Sequence, residues 1–255
     1  MGRPFDFSYV LDFLPKLLSF LHITLWIVVA SIVLGIFIGF IVALPRLYKV
    51  PLLQRFSQLY VSFFRGTPIL IQLFLIYYGV PELVKLIGID LSKTDVLFFV
   101  ILCYGMHTGA FVSEGIRAAV LAVDRGQVEA AYSIGMSGFQ AFIRIVMPQA
   151  FAISVPILAN LVIANLKDTS LAFTLGAMEM TGKAQTLGTA TQHFLETYVA
   201  LSVIYFLIST LLERLFLMLE RRLQRHERAV VQHVRISRQA PLWRKKLATS
   251  VKEGG

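Results

Sequence analysis

Residues 23–44 read ITLWIVVASIVLGIFIGFIVAL, a stretch of 22 positions without a charged side chain. An α-helix rises about 1.5 Å per residue, so roughly 20 apolar residues cross the ~30 Å hydrocarbon core of a bilayer. A second uncharged run of the same length extends from Ile145 to Leu166. The chain is 56% hydrophobic and 15% charged, whereas a soluble domain carries about 25% charged residues. These features predict an all-α integral membrane protein.

Five apolar segments have the length and composition of membrane-spanning helices. They are predicted at about 20–44, 56–79, 95–116, 147–166 and 196–219. The second segment is interrupted by the stretch Arg65-Gly66-Thr67-Pro68. Two spans contain small residues one turn apart, Gly35-x-x-x-Gly39 and Gly105-x-x-x-Gly109, and this spacing predicts close helix packing within one subunit.

The distribution of lysine and arginine predicts the orientation of these spans. Cytoplasmic segments of membrane proteins carry an excess of basic residues. If the C-terminus lies inside, the inner side holds 18 Lys and Arg residues and the outer side holds six. The expected organisation is therefore an extracytoplasmic segment at 1–19, a transmembrane domain at 20–220 and a basic cytoplasmic tail at 221–255.

Most of the net charge of +9 lies in that tail, which has ten Lys or Arg residues against Glu227 and Glu253. A basic tail after the last span is typical of the cytoplasmic side, with lipid headgroup contact as the alternative. Neither interpretation requires a nucleic-acid groove, so no nucleic-acid partner is expected. The single cysteine, Cys103, excludes an internal disulfide, and the scattered histidines lack the spacing of a metal site.

The segment between the third and fourth spans, DRGQVEAAYSIGMSGFQ at 124–140, is predicted to form a short helical hairpin. Gln127–Ile134 consists largely of good helix formers. Gly135 suits the left-handed position just after a helix end. Ser137 with Gln140 three residues later is a capping box that begins the next helix. Local rules thus predict a firmly bounded pair of helices attached to two spans.

The same hairpin carries a family pattern: Glu129-Ala130-Ala131, Gly135 and Ile145-x-Met147-Pro148 resemble the EAA loop of bacterial ABC importer permeases. The spacing matches throughout, and Met147 replaces the usual leucine, a change that conserves volume. In that family the loop forms a coupling helix that docks in a groove of the ATPase subunit, and the alanine pair would leave a smooth face there. The resemblance assigns the coupling role to the loop at 124–142. The residues implied are Glu129, Ala130, Ala131, Gly135 and Ser137.

A second resemblance covers most of residues 20–222. The segments that carry it are SFFRGTP at 62–68, QLF at 72–74, Gly126-Gln127 and KDTSL at 167–171. They are similar to the polar amino acid branch of these permeases, which includes the histidine, glutamine, arginine and cystine permeases. Leu44-Pro45-Arg46 and Ser170-Leu171-Ala172-Phe173 are most similar to cystine-type members.

The resemblance implies the five-helix core of type I importers, the MetI-like permease fold, in the bacterial cytoplasmic membrane. The chain would import a polar amino acid, with L-cystine favoured, as a non-catalytic subunit that binds no cofactor or metal itself. The implied partners are two ATPase subunits that bind ATP and Mg, a second permease that is the same or a homologous chain, an external amino-acid-binding protein, and the lipid bilayer.

Two groups of polar residues are candidates for the translocation path or gate. Glu114 and Arg117 are three residues apart and share a helix face, so they are expected to pair, either as an interfacial ion pair or as part of the path. The second group, which directly follows the fourth span, consists of Lys167, Asp168, Thr169 and Ser170. Charges at that depth usually face a protein interior or a watery cavity. Lys167 and Asp168 could bind the two charges of an amino acid, or satisfy each other or the backbone.

Two other classes of membrane protein are alternatives to a permease. A stand-alone secondary transporter would show inverted repeats and about ten or more spans, and neither is visible in the sequence. An intramembrane enzyme would need a nucleophile and a base placed together, and no span carries a plausible Ser/His or Asp/Asp set. Co-purification with an ATPase would distinguish a permease from both.

Overall fold

The computed structural model describes residues 4–223, so nearly all of the basic tail lies outside the described residues. The helices of the described part are α1 (Phe7–Leu18), α2 (Leu21–Leu47), α3 (Pro51–Gly66), α4 (Ile69–Lys85), α5 (Val96–Ala122), α6 (Arg125–Ser133), α7 (Gly138–Ala141), α8 (Met147–Asp168), α9 (Met180–Thr191) and α10 (Phe194–Leu223). A π-helical turn at Phe142–Val146 joins α7 to α8, and a 3₁₀ segment at Thr169–Leu175 follows α8. Between residues 4 and 223 the fold is all-α, as predicted.

Four of these helices are long and apolar enough to cross a membrane: α2, α5, α8 with its flanking turns, and α10. α3 and α4 pass the same test only as a pair, because the chain bends by 116° between them. The bend arises at Thr67 and Pro68, which are both extended, with ψ values of 145° and 137°. Proline disfavours a helical conformation at the residue before it. With the bent pair counted as one broken span, the predicted number of five is confirmed.

α2 and α5 form the central helix pair, and glycines allow these helices to approach closely. A Cβ built on Gly39 would lie 2.6 Å from Cγ1 of Val112, and one on Gly35 would lie 2.7 Å from Cβ of Thr108. The two glycines of the predicted motif in α5 meet side chains of α2 in the same way. Small residues thus permit a helix separation that larger side chains would prevent. The predicted packing role of the glycine pairs within one subunit is confirmed.

Helix α1 lies in the segment 1–19, which is predicted only to be extracytoplasmic. Its inner face carries Val10, Phe13 and Leu17, which pack against residues of α9 and α10 such as Met180 and Leu201. α1 is short and amphipathic, so a search for long apolar runs does not find it. Because of this packing, the N-terminal segment is part of the folded body.

Candidate functional site

The hairpin between α5 and α8 has the local geometry that its sequence predicts. The side chain of Asp124 accepts a hydrogen bond from a backbone N–H of the first turn (2.8 Å) and starts α6 at Arg125, slightly earlier than predicted. Gly135 has a φ of 84°, the left-handed conformation that follows a helix end. Ser137 and Gln140 form the capping box that opens α7. The turn and the capping box are confirmed.

The two alanines of this hairpin face different surroundings. Ala130 is exposed, whereas Ala131 is only 3% exposed. Successive residues of a helix point about 100° apart, so adjacent alanines do not share one face. The expectation that both form a smooth outer surface is therefore wrong for Ala131. Val128 of the same helix packs against Ala119 and Val146, which fixes α6 to the ends of the adjoining spans.

The hairpin that contains Glu129 also exposes large apolar side chains. Tyr132 is 52% exposed, Ile134 is 80% exposed and Phe139 is 76% exposed. Glu129 is exposed one turn before the end of α6. Apolar surface concentrated in one exposed loop is typical of a protein interaction site.

Glu114 on α5 pairs with two arginines. It forms the predicted ion pair with Arg117 one turn later. Its other carboxylate oxygen lies 2.7 Å from Nη2 of Arg46, near the end of α2. The Arg46 side chain is 12% exposed, and its Nη1 is buried without a hydrogen-bond partner among the described residues. This pairing is not visible in the sequence, because no local spacing connects positions 46 and 114.

A shallow cavity of about 460 Å³, wide open to the surface of the chain, lies beside this ion-pair cluster. The residues that line it are Arg46, Gln58, Val61, Ser62, Arg65, Gly66 and Glu114. The guanidinium of Arg65 lies 5.4 Å from the ring centre of Phe111 on α5, within cation–π range. Within the described part of the chain, no carboxylate lies within ion-pair distance of Arg65. The polar residues of α3 that line the cavity are Gln58, Ser62 and Arg65. In the sequence they stand out only by their spacing of three or four positions.

Gln72 connects the bend between α3 and α4 to α5. Its side-chain amide donates hydrogen bonds to the carbonyls of Phe64 and Thr67, each at 2.9 Å. Its Oε1 lies 2.9 Å from Nδ1 of His107. Gln72 is 1% exposed, and its bonds satisfy carbonyls that the broken helix cannot satisfy internally. The bend is therefore a fixed feature, and it places Arg65 beside the cavity.

The segment 167–170 does not join the Glu114 cluster. The backbone carbonyl of Asp168 accepts a 2.6 Å hydrogen bond from the hydroxyl of Tyr104 on α5. Tyr104 and Glu114 are ten residues apart on that helix, which corresponds to about 15 Å along its axis. The two groups of candidate path residues therefore lie at different depths of the bundle.

The four side chains of this segment have different surroundings. Lys167 is exposed, and Ser170 donates a hydrogen bond to its backbone carbonyl (2.7 Å). Thr169 is completely buried, and its hydroxyl donates a hydrogen bond to the carbonyl of Leu166 (2.6 Å). Lys167 and Asp168 form no ion pair with each other among residues 4–223.

A buried carboxyl group that no sequence motif indicates lies at the start of α9. Glu179 is completely buried and accepts a hydrogen bond from the N–H of Gly182 (2.9 Å). Its second oxygen lies 3.5 Å from the hydroxyls of Thr24 on α2 and Tyr205 on α10. Burial raises the pKa of the Glu179 carboxyl above its ordinary value, because the charged form loses hydration. This residue connects three helices and lies apart from the cavity.

These features support binding of charged groups and docking of a partner. Within residues 4–223, no group of three or more His, Cys, Asp or Glu side chains is arranged to hold a metal ion. The carboxylate of Glu114 is paired with two arginines, Arg46 and Arg117. The charged groups beside the cavity, Arg46, Arg65 and Glu114, could bind a charged ligand reversibly by electrostatic attraction.

Five spans, one of them broken, and a capped helical hairpin between the third and fourth span make up this integral membrane bundle. Residues 31–225 match the model of the family described as binding-protein-dependent transport system inner membrane component, and the chain belongs to that family. It is 46% identical over 231 residues to the L-cystine transport system permease protein TcyL of Bacillus subtilis (strain 168), covering 91% of this chain and 97% of the relative.

Two further comparisons agree with this assignment. The chain is 40% identical over 222 residues to the probable amino-acid ABC transporter permease protein PatM of Vibrio harveyi, covering 87% of this chain and 97% of the relative. Among solved structures, the crystal structure of an amino acid ABC transporter with histidines matches with a TM-score of 0.79 and 29% identity. That match covers 86% of this chain and 100% of the other.

Family membership confirms the predicted fold, membrane location and non-catalytic role of the chain. The protein is a multi-pass inner membrane permease of the type I ABC importer fold, and it is a non-catalytic subunit. An ATPase and a substrate-binding protein are the partners that the family implies. The alternatives of a stand-alone secondary transporter and an intramembrane enzyme are set aside by this assignment.

Proposed function

We propose that this permease imports a polar amino acid and that L-cystine is its preferred substrate. The observation that carries the proposal is the 46% identity to an L-cystine permease over nearly the full length of both chains. The cystine-like stretch Leu44-Pro45-Arg46 supports it, because Arg46 is the residue that joins Glu114 beside the cavity. The cystine-like stretch Ser170–Phe173 begins at Ser170, the last residue of the segment 167–170 that is proposed as a gate.

The loop at 124–142 is proposed to couple the permease to its ATPase. The residues assigned to this role are Glu129, Ala130, Ala131, Gly135 and Ser137. Exposed Ile134 and Phe139 supply apolar area for docking, and Glu129 supplies a charge. Ala131 acts from the inner side, because its small side chain lets α6 pack closely within the chain.

The working assembly is proposed to contain two ATPase subunits that bind ATP and Mg, a second permease, which is the same or a homologous chain, and an external amino-acid-binding protein. The cavity beside Glu114 opens at the surface of the single chain. A second permease against that surface would enclose a path between the two chains. The proposed gate residues lie at the C-terminal end of α8, away from the coupling hairpin, and are Lys167, Asp168 and Ser170. Thr169 packs behind them.

The orientation proposed is an extracytoplasmic N-terminal segment at 1–19, a transmembrane domain at 20–220 and a cytoplasmic tail at 221–255. Two spans, α8 and α10, separate the coupling hairpin from the tail. Two crossings return the chain to the same side of a membrane, so hairpin and tail share one side. The excess of basic residues in the inner segments supports the cytoplasm as that side.

Uptake by the reconstituted complex tests the substrate. The permease is incorporated into proteoliposomes with its ATPase and its binding protein, and labelled L-cystine uptake is measured against unlabelled competitors. L-Cystine is expected to compete better than L-histidine, L-glutamine or L-arginine. Preferential competition by one of those three would overturn the cystine proposal, and failure to retain an ATPase on purification would contradict the proposed assembly.

A further inference from the structure

Helix α1 has three distinct faces around its circumference. The buried face, which packs against α9 and α10, consists of Val10, Phe13 and Leu17. A second face, which we call the apolar stripe, points outward and consists of Phe7, Leu11, Leu14 and Leu18. Apart from half-buried Leu14, its members are between 46% and 61% exposed. The third face, which we call the polar stripe, is exposed and consists of Ser8, Asp12, Lys16 and Ser19. Members of each set are three or four residues apart and therefore lie on one side of the helix.

Contacts near the N-terminal end of α1 fix its rotation. The backbone N–H of Asp6 donates a hydrogen bond to Oε1 of Glu196 on α10 (2.9 Å). The same oxygen lies 3.0 Å from Nδ1 of His193, just before α10. The ring of Tyr9 stacks on the ring of His193, with their centres 3.9 Å apart. Together with the packing of the buried face, these contacts keep both stripes on the outside of the chain.

The position of α1 in the chain places it at the edge of the bilayer. Only Ser19 and Phe20 separate α1 from α2, so about 10 Å of chain at most joins its end to the first span. That span exposes Leu25, Trp26 and Val29 in its first turns, and tryptophan is enriched where a span meets the membrane surface. The apolar stripe is thus close enough to reach hydrocarbon. The charges of the polar stripe would be costly there.

The cations near this junction favour a phospholipid surface as the partner. Nζ of Lys16 lies 5.4 Å from the ring centre of Phe13, and Nζ of Lys183 on α9 lies 5.2 Å from the ring centre of Phe20. In the part of the chain that the structure describes, no carboxylate lies within ion-pair distance of either lysine. Asp12, one turn before Lys16, is the one acidic member of the polar stripe. Phospholipid headgroups carry the phosphate groups that two such ammonium groups attract, and lysine stems can lie along apolar surface.

We propose that α1 lies along the surface of the phospholipid bilayer, with its apolar stripe in the acyl chains, its polar stripe in water and Lys16 among the headgroup phosphates. An amphipathic helix in this position buries its apolar side about 5–10 Å into the boundary between headgroups and acyl chains. Because α1 packs against α9 and α10, it also connects both helices to the membrane surface. The inference does not depend on which substrate the permease imports.

Spin labels on single cysteines test this arrangement in the complex of permease and ATPase, reconstituted into phospholipid bilayers. The buried native cysteine is first removed by Cys103→Ala. Cysteines are then introduced at two pairs of adjacent positions, Leu11→Cys with Asp12→Cys and Leu18→Cys with Ser19→Cys. The collision rate of each label is measured with oxygen, which concentrates in lipid, and with a neutral nickel chelate, which concentrates in water. The lipid and water references are Val33→Cys, exposed on α2, and Lys93→Cys, exposed between α4 and α5.

We expect the ratio of oxygen to nickel collisions at positions 11 and 18 to shift towards the value at position 33, and the ratio at positions 12 and 19 to stay near that at position 93. Labels at 11 and 18 that meet nickel as readily as position 93 would place the apolar stripe in water and overturn the proposal. Shielding of these labels from both reagents would mean that a protein, such as a second permease, covers the stripe, and would also overturn it. Lipid-like ratios at all four positions would bury α1 within the bilayer and contradict a position at its surface. Retention of the ATPase shows that a labelled complex is folded, and either pair of positions decides the result by itself.

Discussion

Gly135 lies in the turn between α6 and α7, in the hairpin proposed to couple the permease to its ATPase. Its φ of 84° excludes most side chains, although no atom lies within 4 Å of a Cβ built there. The constraint is therefore the backbone conformation and not the available space. A β-branched side chain in that conformation costs about 1 kcal/mol or more. The strain would alter the angle between α6 and α7 while leaving the spans unaffected.

We predict that Gly135→Val reaches the membrane at near-normal level but loses transport and substrate-stimulated ATP hydrolysis. Gly135→Asn is the matched control, because asparagine tolerates the left-handed region and should retain most of the activity. Membrane fractions measure the level, and the reconstituted complex measures transport and hydrolysis. Normal transport by the purified valine complex would show that the hairpin is not the coupling element.

The buried carboxyl of Glu179 predicts a pH dependence of stability. Its pKa is raised above the ordinary value of 4.5 in the folded protein, so the folded state holds this proton more tightly than the unfolded state. The contribution of the group is then favourable at low pH and is lost as the pH rises from 4.5 through the raised pKa.

Glu179→Gln removes this titration and keeps an oxygen that can accept from the Gly182 N–H. The melting temperature of the detergent-solubilised protein should therefore fall less between about pH 5 and about pH 8 in the variant than in the wild type. Glu82→Gln changes an exposed carboxyl and should keep the wild-type slope. Parallel pH profiles of wild type and Glu179→Gln would contradict the prediction.

At the scale of elements, the contact between α2 and α5 depends on glycine at particular positions. A Cβ on Gly39 would lie 2.6 Å from a side-chain carbon of Val112, whereas one on Gly79 of α4 meets nothing within 4 Å. Gly39→Ala should destabilise the protein by about 1–3 kcal/mol through overpacking. Gly79→Ala should be neutral or stabilising by up to about 1 kcal/mol, because alanine favours helix. Thermal unfolding in detergent compares the two, and equal effects would mean that close packing does not limit α2 and α5.

At the scale of the whole molecule, the orientation gives a prediction for reporter fusions. A reporter active only outside the cytoplasm should be silent when fused after Arg222 and active when fused near Asp90, between α4 and α5. The reason is that the inner segments hold most of the basic residues. The reverse pattern of activity would place the coupling hairpin outside and overturn the topology.

Much of this architecture follows from local sequence. The uncharged run at 23–44 determines a span because backbone polar groups in lipid must be satisfied within a helix. Gly135 and the Ser137–Gln140 capping box determine the hairpin, because turn and cap energies depend on adjacent residues. The break before Pro68 is also visible in the sequence, although its angle of 116° is not.

Contacts between distant positions were decided by the tertiary structure. Arg46 of α2 pairs with Glu114 of α5, although α3 and α4 separate these helices in the sequence. The surroundings of buried Glu179 include Thr24 of α2 and Tyr205 of α10, which are far apart in the chain. Ala131 faces inward only because α6 folds back against the spans. Apolar periodicity and capping are short-range properties that one segment carries alone. The pairing and burial of charges depend on which helices become neighbours, and no single segment of the chain specifies that.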